Sequence, residues 1–127
     1  MTRKSYSSGS PWEDKVGYTR SVRVHNIIEV AGTVASKDGV VQCVGDAGGQ
    51  TDVILVIIKN AIENLGGKLE DTVRTRIFCT NIADFEAIGK VHAAYFSAIK
   101  PVMSIVEVSK LIHPDMLVEI EATAIIP

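Results

Sequence analysis

The C-terminal stretch LVEIEATAIIP, Leu117 to Pro127, constrains the fold of this chain more than any other segment, because apolar and polar positions alternate along it with a period of two. Val118, Ile120, Ala122, Ala124 and Ile126 would point to one side of such a strand and suit a buried core, whereas Glu119, Glu121, Thr123 and Ile125 would point to the other. Two carboxylates therefore share one face of a β-prone segment. The apolar side needs a covering layer, and two segments have the period to supply it. DVILVIIKNAIENLGG places Val53, Ile54, Ile57, Ile58, Ala61, Ile62 and Leu65 at helical spacing, with Thr51 or Asp52 as the expected cap and Gly66-Gly67 as the stop. A second helix, capped by Asp84, repeats Phe85, Ile88, His92, Tyr95, Phe96 and Ile99 at steps of three and four until Pro101 ends it.

The remaining segments read as strands and turns. RSVRVHNIIEVA gives two short β-prone runs turned at His25-Asn26, with Asn26 as the expected turn residue. Ser36 to Gly39, SKDG, forms a second turn, and VVQCV a short strand that closes at Gly45. In DTVRTRIFCTN, Val73, Thr75, Ile77 and Cys79 alternate with Arg74, Arg76, Phe78 and Thr80. VMSIVEVSKL precedes the last strand and is joined to it by the turn IHPD, Ile112 to Asp115. Its alternation groups Met103, Ile105 and Glu107 on one side, with Ser104, Val106 and Val108 opposite. Residues 1–17, rich in Ser, Gly and Pro, read as an irregular N-terminal arm. The element order β-β-β-α-β-α-β-β implies an α+β domain, a mixed sheet with both helices on one face. At 127 residues the chain has room for a single domain, residues 1–127. The other sheet face, which carries Glu119 and Glu121, is too apolar for a solvent surface and is expected to meet another subunit.

Composition narrows the function classes. A net charge of −2 and 6% aromatic residues give neither the electrostatic footprint nor the stacking platforms of a nucleic-acid binder. Cys43 and Cys79 have no CxxC spacing, which suits a reducing cytoplasm. No signal-peptide pattern and no apolar run long enough to span a bilayer is evident, so a cytoplasmic location without membrane contact is expected.

Few residues present themselves for chemistry. His25, His92 and His113 lie on different elements without metal-ligand spacing, so no metal is expected, and His92 on a helical apolar face reads first as a structural histidine. No GxSxG elbow occurs, and GDAGGQT fits neither phosphate-binding glycine pattern; it reads as a turn with a helix cap. Arg74 and Arg76, two apart on a strand, could grip a carboxylate in bidentate fashion, though a solvated face or an intersubunit ion pair is the first reading. Glu119 and Glu121 divide evenly between pairing with such arginines and a ligand or catalytic role.

Three stretches together resemble the RidA family, also called the YjgF or liver perchloric-acid-soluble protein family. They are Gly17-Tyr18 with the hairpin ending VAGTVA, then VRTRIFCTNIADFEAIGKVHAAYF, and KPVMSIVEVSKLIHPDMLVEIEATAI. The pairing of VEVSKL with VEIEA is the most diagnostic part. The resemblance implies a chorismate-mutase-like α+β fold and a homotrimer with small-molecule pockets at its subunit interfaces. It also implies cofactor-free hydrolysis of 2-aminoacrylate and related reactive imines or enamines to 2-keto acids and ammonia. In that family a glutamate of the last strand orients or activates the attacking water, and its position matches Glu119; a pocket tyrosine matches Tyr18.

The family's substrate-carboxylate arginine falls on Met103, whose thioether offers neither charge nor donors. A common pocket cysteine is Ile105 here, and a pocket asparagine of the second helix is Gly89. Losing a bidentate, charge-assisted contact costs about 2–5 kcal/mol, so a ligand less anionic than 2-aminoacrylate is expected unless Arg74 or Arg76 compensates. Two further readings stand beside this one. The first is a non-catalytic metabolite-binding or regulatory trimer; the second, ranked last on charge, is the ribonuclease or translation-inhibitor role given to some family members.

Overall fold

The two periods legible in the sequence become two layers in the computed structural model of the chain, which describes residues 2–127. In chain order the elements are β1 (Lys4–Tyr6), α1 (Pro11–Val16), β2 (Ser21–Val24), β3 (Ile27–Val34), β4 (Ser36–Lys37), β5 (Val40–Val41) and α2 (Ala47–Glu63). They continue as β6 (Thr72–Cys79), α3 (Phe85–Phe96), β7 (Val102–Glu107) and β8 (Val118–Ile125). Six strands form one mixed sheet in the order β1-β2-β3-β8-β6-β7, in which only β6 and β7 run parallel, joined by the α3 crossover. β4 and β5 form a separate small hairpin.

The last strand lies inside the sheet, antiparallel to β3 on one side and to β6 on the other. Its alternation holds: Val118, Ile120, Ala122 and Ala124 are buried, and Glu119, Glu121, Thr123 and Ile125 look the other way. Both long helices cover the buried side. α2 contributes Ile54, Leu55, Ile58, Ala61 and Ile62, and α3 contributes Ile88 and Phe96, to a core shared with Ile28 and Ile77. The small Ala122 and Ala124 leave room for large α2 side chains above the sheet, which is the jigsaw that close packing requires. No helix among the described residues is long and apolar enough to cross a membrane.

Several local expectations are corrected. The expected irregular arm holds β1, paired with β2, and the short helix α1, capped by Ser10 with Pro11 in its first turn. α2 begins at Ala47, four residues before the expected Thr51 cap, because Asp46 Oδ1 accepts the Gly49 N–H at 2.9 Å. Its buried stripe is centred on Leu55 rather than on Val53 and Ile57, and Phe85 at the start of α3 is 48% exposed. The left-handed residue of the β2–β3 turn is His25, with φ +53°, not Asn26, whose side chain instead donates to the Ile126 carbonyl at 3.1 Å. VVQCV stops being a strand at Val41, and Cys43 takes φ +51°. Finally, β7 does not pair with the strand that follows it: β6 separates the two, so residues 108–117 are a crossing loop rather than a hairpin turn.

That loop is fastened by a buried residue on α2. Gln50 is 0% exposed; its Nε2 donates to the Asp115 carbonyl at 2.8 Å and its Oε1 accepts the Leu117 N–H at 2.9 Å, immediately before β8 begins. One amide thus sets the level at which the last strand enters the sheet. Gln50→Leu strands both backbone groups away from water and should cost about 1–3 kcal/mol, read as a lower urea midpoint in equilibrium unfolding.

Candidate active site

The Glu119 carboxyl is positioned by three strands. Across the ladder it stands opposite Val34 of β3 and Phe78 of β6. The β3 strand carries a register shift between Val30 and Thr33, and in that irregular stretch Gly32 comes up against the Glu119 carboxylate. A Cβ at residue 32 would overlap the carboxylate where it stands, so a larger residue there would displace the end of the Glu119 side chain. Glu119 is partly buried, and its carboxyl is raised above the ordinary 4.5: burial is the main cause, the Glu121 carboxylate adds to it, and Arg20 opposes it.

Tyr18 reaches the same region from the arm. The α1 helix ends at Gly17 with φ +87°, the left-handed conformation that glycine adopts without strain, and the next residue is Tyr18. Its ring lies 5.6 Å from the Arg20 guanidinium carbon, and its hydroxyl accepts from Arg20 Nη2 at 3.4 Å. Arg20 is 8% exposed, and its Nη1 donates to the Gly32 carbonyl and the Thr33 hydroxyl, each at 2.9 Å. Sequence reasoning missed Arg20. In RSVRV it looks like an ordinary strand charge, and only the Ala31 N–H bond to the Arg20 carbonyl brings it beside Gly32.

The other expected residues lie elsewhere. Met103 and Ile105 stand opposite Thr75 and Ile77 in the parallel β6–β7 ladder, which puts them on the helix-covered face, opposite to Glu119. Met103, 39% exposed, opens onto a shallow, mainly apolar hollow of about 270 Å³ with His92, Phe96, Lys100 and Pro101. Gly89 lies one turn before this group on α3, and the space where its side chain would stand is open. The His92 imidazole Nε2 is 2.8 Å from the Thr75 hydroxyl, and burial lowers its basicity, so it is the buried structural histidine expected from its helical face.

Arg74 and Arg76 line a third place, a groove of about 460 Å³ on the open face with Glu29, Glu121 and Thr123. Arg76 Nη1 donates to Glu121 Oε1 at 2.7 Å within the chain. Exposed on both sides, this pair is worth about 1 kcal/mol or less. The single chain thus brings Tyr18 and Glu119 together around Arg20, and separately gathers Gly89, Met103 and Ile105; Arg74 and Arg76 belong to neither group.

The family model described as Endoribonuclease L-PSP matches residues 11–126. A solved structure from Mycobacterium tuberculosis, Rv2704, described as a member of the YjgF/YER057c/UK114 family, superposes with a TM-score of 0.90 at 45% identity, covering 98% of this chain and 100% of that one. The YjgF gene product of E. coli superposes at 0.78 with 30% identity, covering 85% and 87% of the two chains. The 3-aminoacrylate deaminase RutC of Acinetobacter baylyi is 37% identical over 108 residues, 84% of this chain and 85% of that protein.

The raised Glu119 carboxyl has a stability consequence of definite sign. The native state holds the proton more tightly than the unfolded chain, so stability is greatest below the ordinary 4.5 and falls as pH rises through the native value. Glu119→Gln removes that loss. In thermal melts the variant should match the native protein at low pH and melt at a higher temperature at neutral pH; the opposite ordering at neutral pH contradicts the burial argument.

Proposed function

The chain belongs to the YjgF/RidA family, and from that premise we propose that it is an imine-deaminase-like hydrolase whose site is completed between two copies of a homotrimer. One copy supplies Tyr18 and Glu119; the next supplies Gly89, Met103 and Ile105. The observation behind this reading is the division just described. The two residue groups sit on opposite faces of one sheet, so in a single chain they cannot line one pocket, whereas a neighbouring copy packed on the open face can supply the missing wall. RutC, a relative that acts on 3-aminoacrylate by its name, supports a C–N bond hydrolysis of this general kind.

The chemistry requires little. An enamine first tautomerises to the imine, and water adds to the C=N carbon while Glu119 accepts the water proton. Glu119 returns that proton to nitrogen to give the carbinolamine, then takes the hydroxyl proton and delivers it to the same nitrogen, so that the C–N bond breaks as the C=O bond forms and one molecule of ammonia leaves. A partly buried carboxyl with a raised pKa suits these transfers, because its affinity for a proton lies closer to neutrality than that of an exposed glutamate. Gly32, lacking a side chain, leaves room for the carboxylate on the β3 side, and Phe78 stands opposite Glu119 in the β6–β8 ladder.

The wall around Met103 sets the substrate class. Met103, Phe96 and Pro101 are apolar, and Lys100, beyond the end of α3 with φ +54°, is exposed. Neither a charge nor a fork of donors stands where a carboxylate would be gripped, so neutral imines derived from simple amines are favoured over 2-imino acids. Imines generated in place by an amine oxidase should be hydrolysed faster than those generated by an amino-acid oxidase, with ammonia release as the readout. Met103→Arg should raise the rate on 2-imino acids by about 30-fold or more, as an added charge-assisted bidentate contact would. Equal, rapid turnover of both classes by the unmodified protein would contradict the assigned role of Met103.

A further inference from the structure

Arg20 is the residue in the Glu119 region that no earlier step uses. It is buried, yet every partner that the structure gives its guanidinium is itself part of the site or next to it. Nη1 is held by the Gly32 carbonyl and the Thr33 hydroxyl, and Nη2 meets the Tyr18 hydroxyl. Gly32 is also the residue against which the Glu119 carboxylate rests. The Tyr18 ring lies over the guanidinium, and Arg20 as a whole is 8% exposed.

A guanidinium this enclosed has few donors to offer an incoming ligand, because both terminal nitrogens are engaged and the ring of Tyr18 lies across it. It therefore does not replace the family's carboxylate-gripping arginine. We propose that Arg20 is the positioning residue of this site: it pins Tyr18 and the Gly32 segment on either side of Glu119 and supplies the positive charge that Glu119 faces within its own chain.

The surrounding charges support this assignment. On β8, Glu121 stands two residues away and repels a Glu119 carboxylate, while its own charge is engaged by Arg76 of β6. Glu29 of β3 is bound by Thr123 farther along the face. From α1, the buried Glu13 also feels Arg20. Burial works against ionisation of Glu13, but hydrogen bonds from Ser8 and Ser7 together with Arg20 outweigh it, and the carboxyl ends below its usual range. The charge of Arg20 thus favours ionisation of two carboxyls, the buried Glu13 and the partly buried Glu119, and offsets part of the cost of keeping both in a poorly solvated place.

This inference deepens the proposed function and rests on Glu119 being the site acid, but its test does not depend on turnover. In the full-length protein, the carboxyl carbon of Glu119 is followed by NMR across a pH series, its signal identified by its absence in Glu119→Gln. In Arg20→Gln the Glu119 midpoint should move upward and the Tyr18 ring signals should sharpen as the ring gains freedom. Arg20→Lys keeps the charge and loses the fork, so it should leave the midpoint near the native one while still freeing Tyr18. Should Arg20→Gln fail to fold, the Lys variant alone decides on the Tyr18 signals. An unchanged Glu119 midpoint in folded Arg20→Gln, or unchanged Tyr18 signals in Arg20→Lys, overturns the proposal. Absence of imine hydrolysis by the unmodified protein would instead count against the proposed function and leave the titration result standing.

Discussion

The interior position of β8 is the constraint on which the rest of the structure depends. A strand paired on both edges and covered on one face must present a consistent alternation, since a slip of one residue would bury Glu119 and Glu121 beneath the helices. The cost of placing unpaired carboxylates there far exceeds what the exchanged apolar contacts could return. Register, sheet order and the placement of the acids are therefore one decision. Gln50 enforces it from α2 by holding the residues that lead into the strand, and β3 and β6 enforce it from either side.

Much of this was legible in the sequence because it rests on local period. The alternation of VEIEATA and the helical spacing of Ile54, Ile58, Ala61 and Ile62 each follow from a neighbour-to-neighbour pattern that tertiary packing then confirms. What was not legible depends on residues far apart in the chain. The penultimate strand looked like a hairpin partner of the last, but β6 inserts between them because the α3 crossover returns β7 parallel to β6. The arm looked irregular because β1 is only three residues long and takes its meaning from β2. His25 rather than Asn26 takes the left-handed conformation, since the Asn26 side chain is engaged by the C-terminal end of the chain.

The site shows the same division. Glu119 and Tyr18 could be singled out through family resemblance, and the alternation placed Glu119 on the open face without it. Arg20 could not be found that way, because its significance comes from the β3 irregularity that turns the Gly32 carbonyl toward it. Nor could the separation of Met103 from Glu119, which follows from the parallel β6–β7 register rather than from any motif. Charge explains why these features belong together. Burial makes the Glu119 proton harder to lose, Glu121 adds to that effect, and Arg20 limits it, while an intrachain partner already engages Arg76. In the proposed site, an apolar wall at Met103 and a proton-holding acid at Glu119 would favour a substrate that brings no charge of its own.

The central claim is that these two walls face each other only across a boundary between copies of the chain. Its most direct measurement is thiol crosslinking of a variant carrying Tyr18→Cys and Met103→Cys, with the exposed Cys43 replaced by Ser, using a short bifunctional maleimide. The account predicts covalently joined chains, with species up to the trimer on a denaturing gel and little crosslink within one chain. Chains that sediment as an oligomer yet remain uncrosslinked to one another would contradict it.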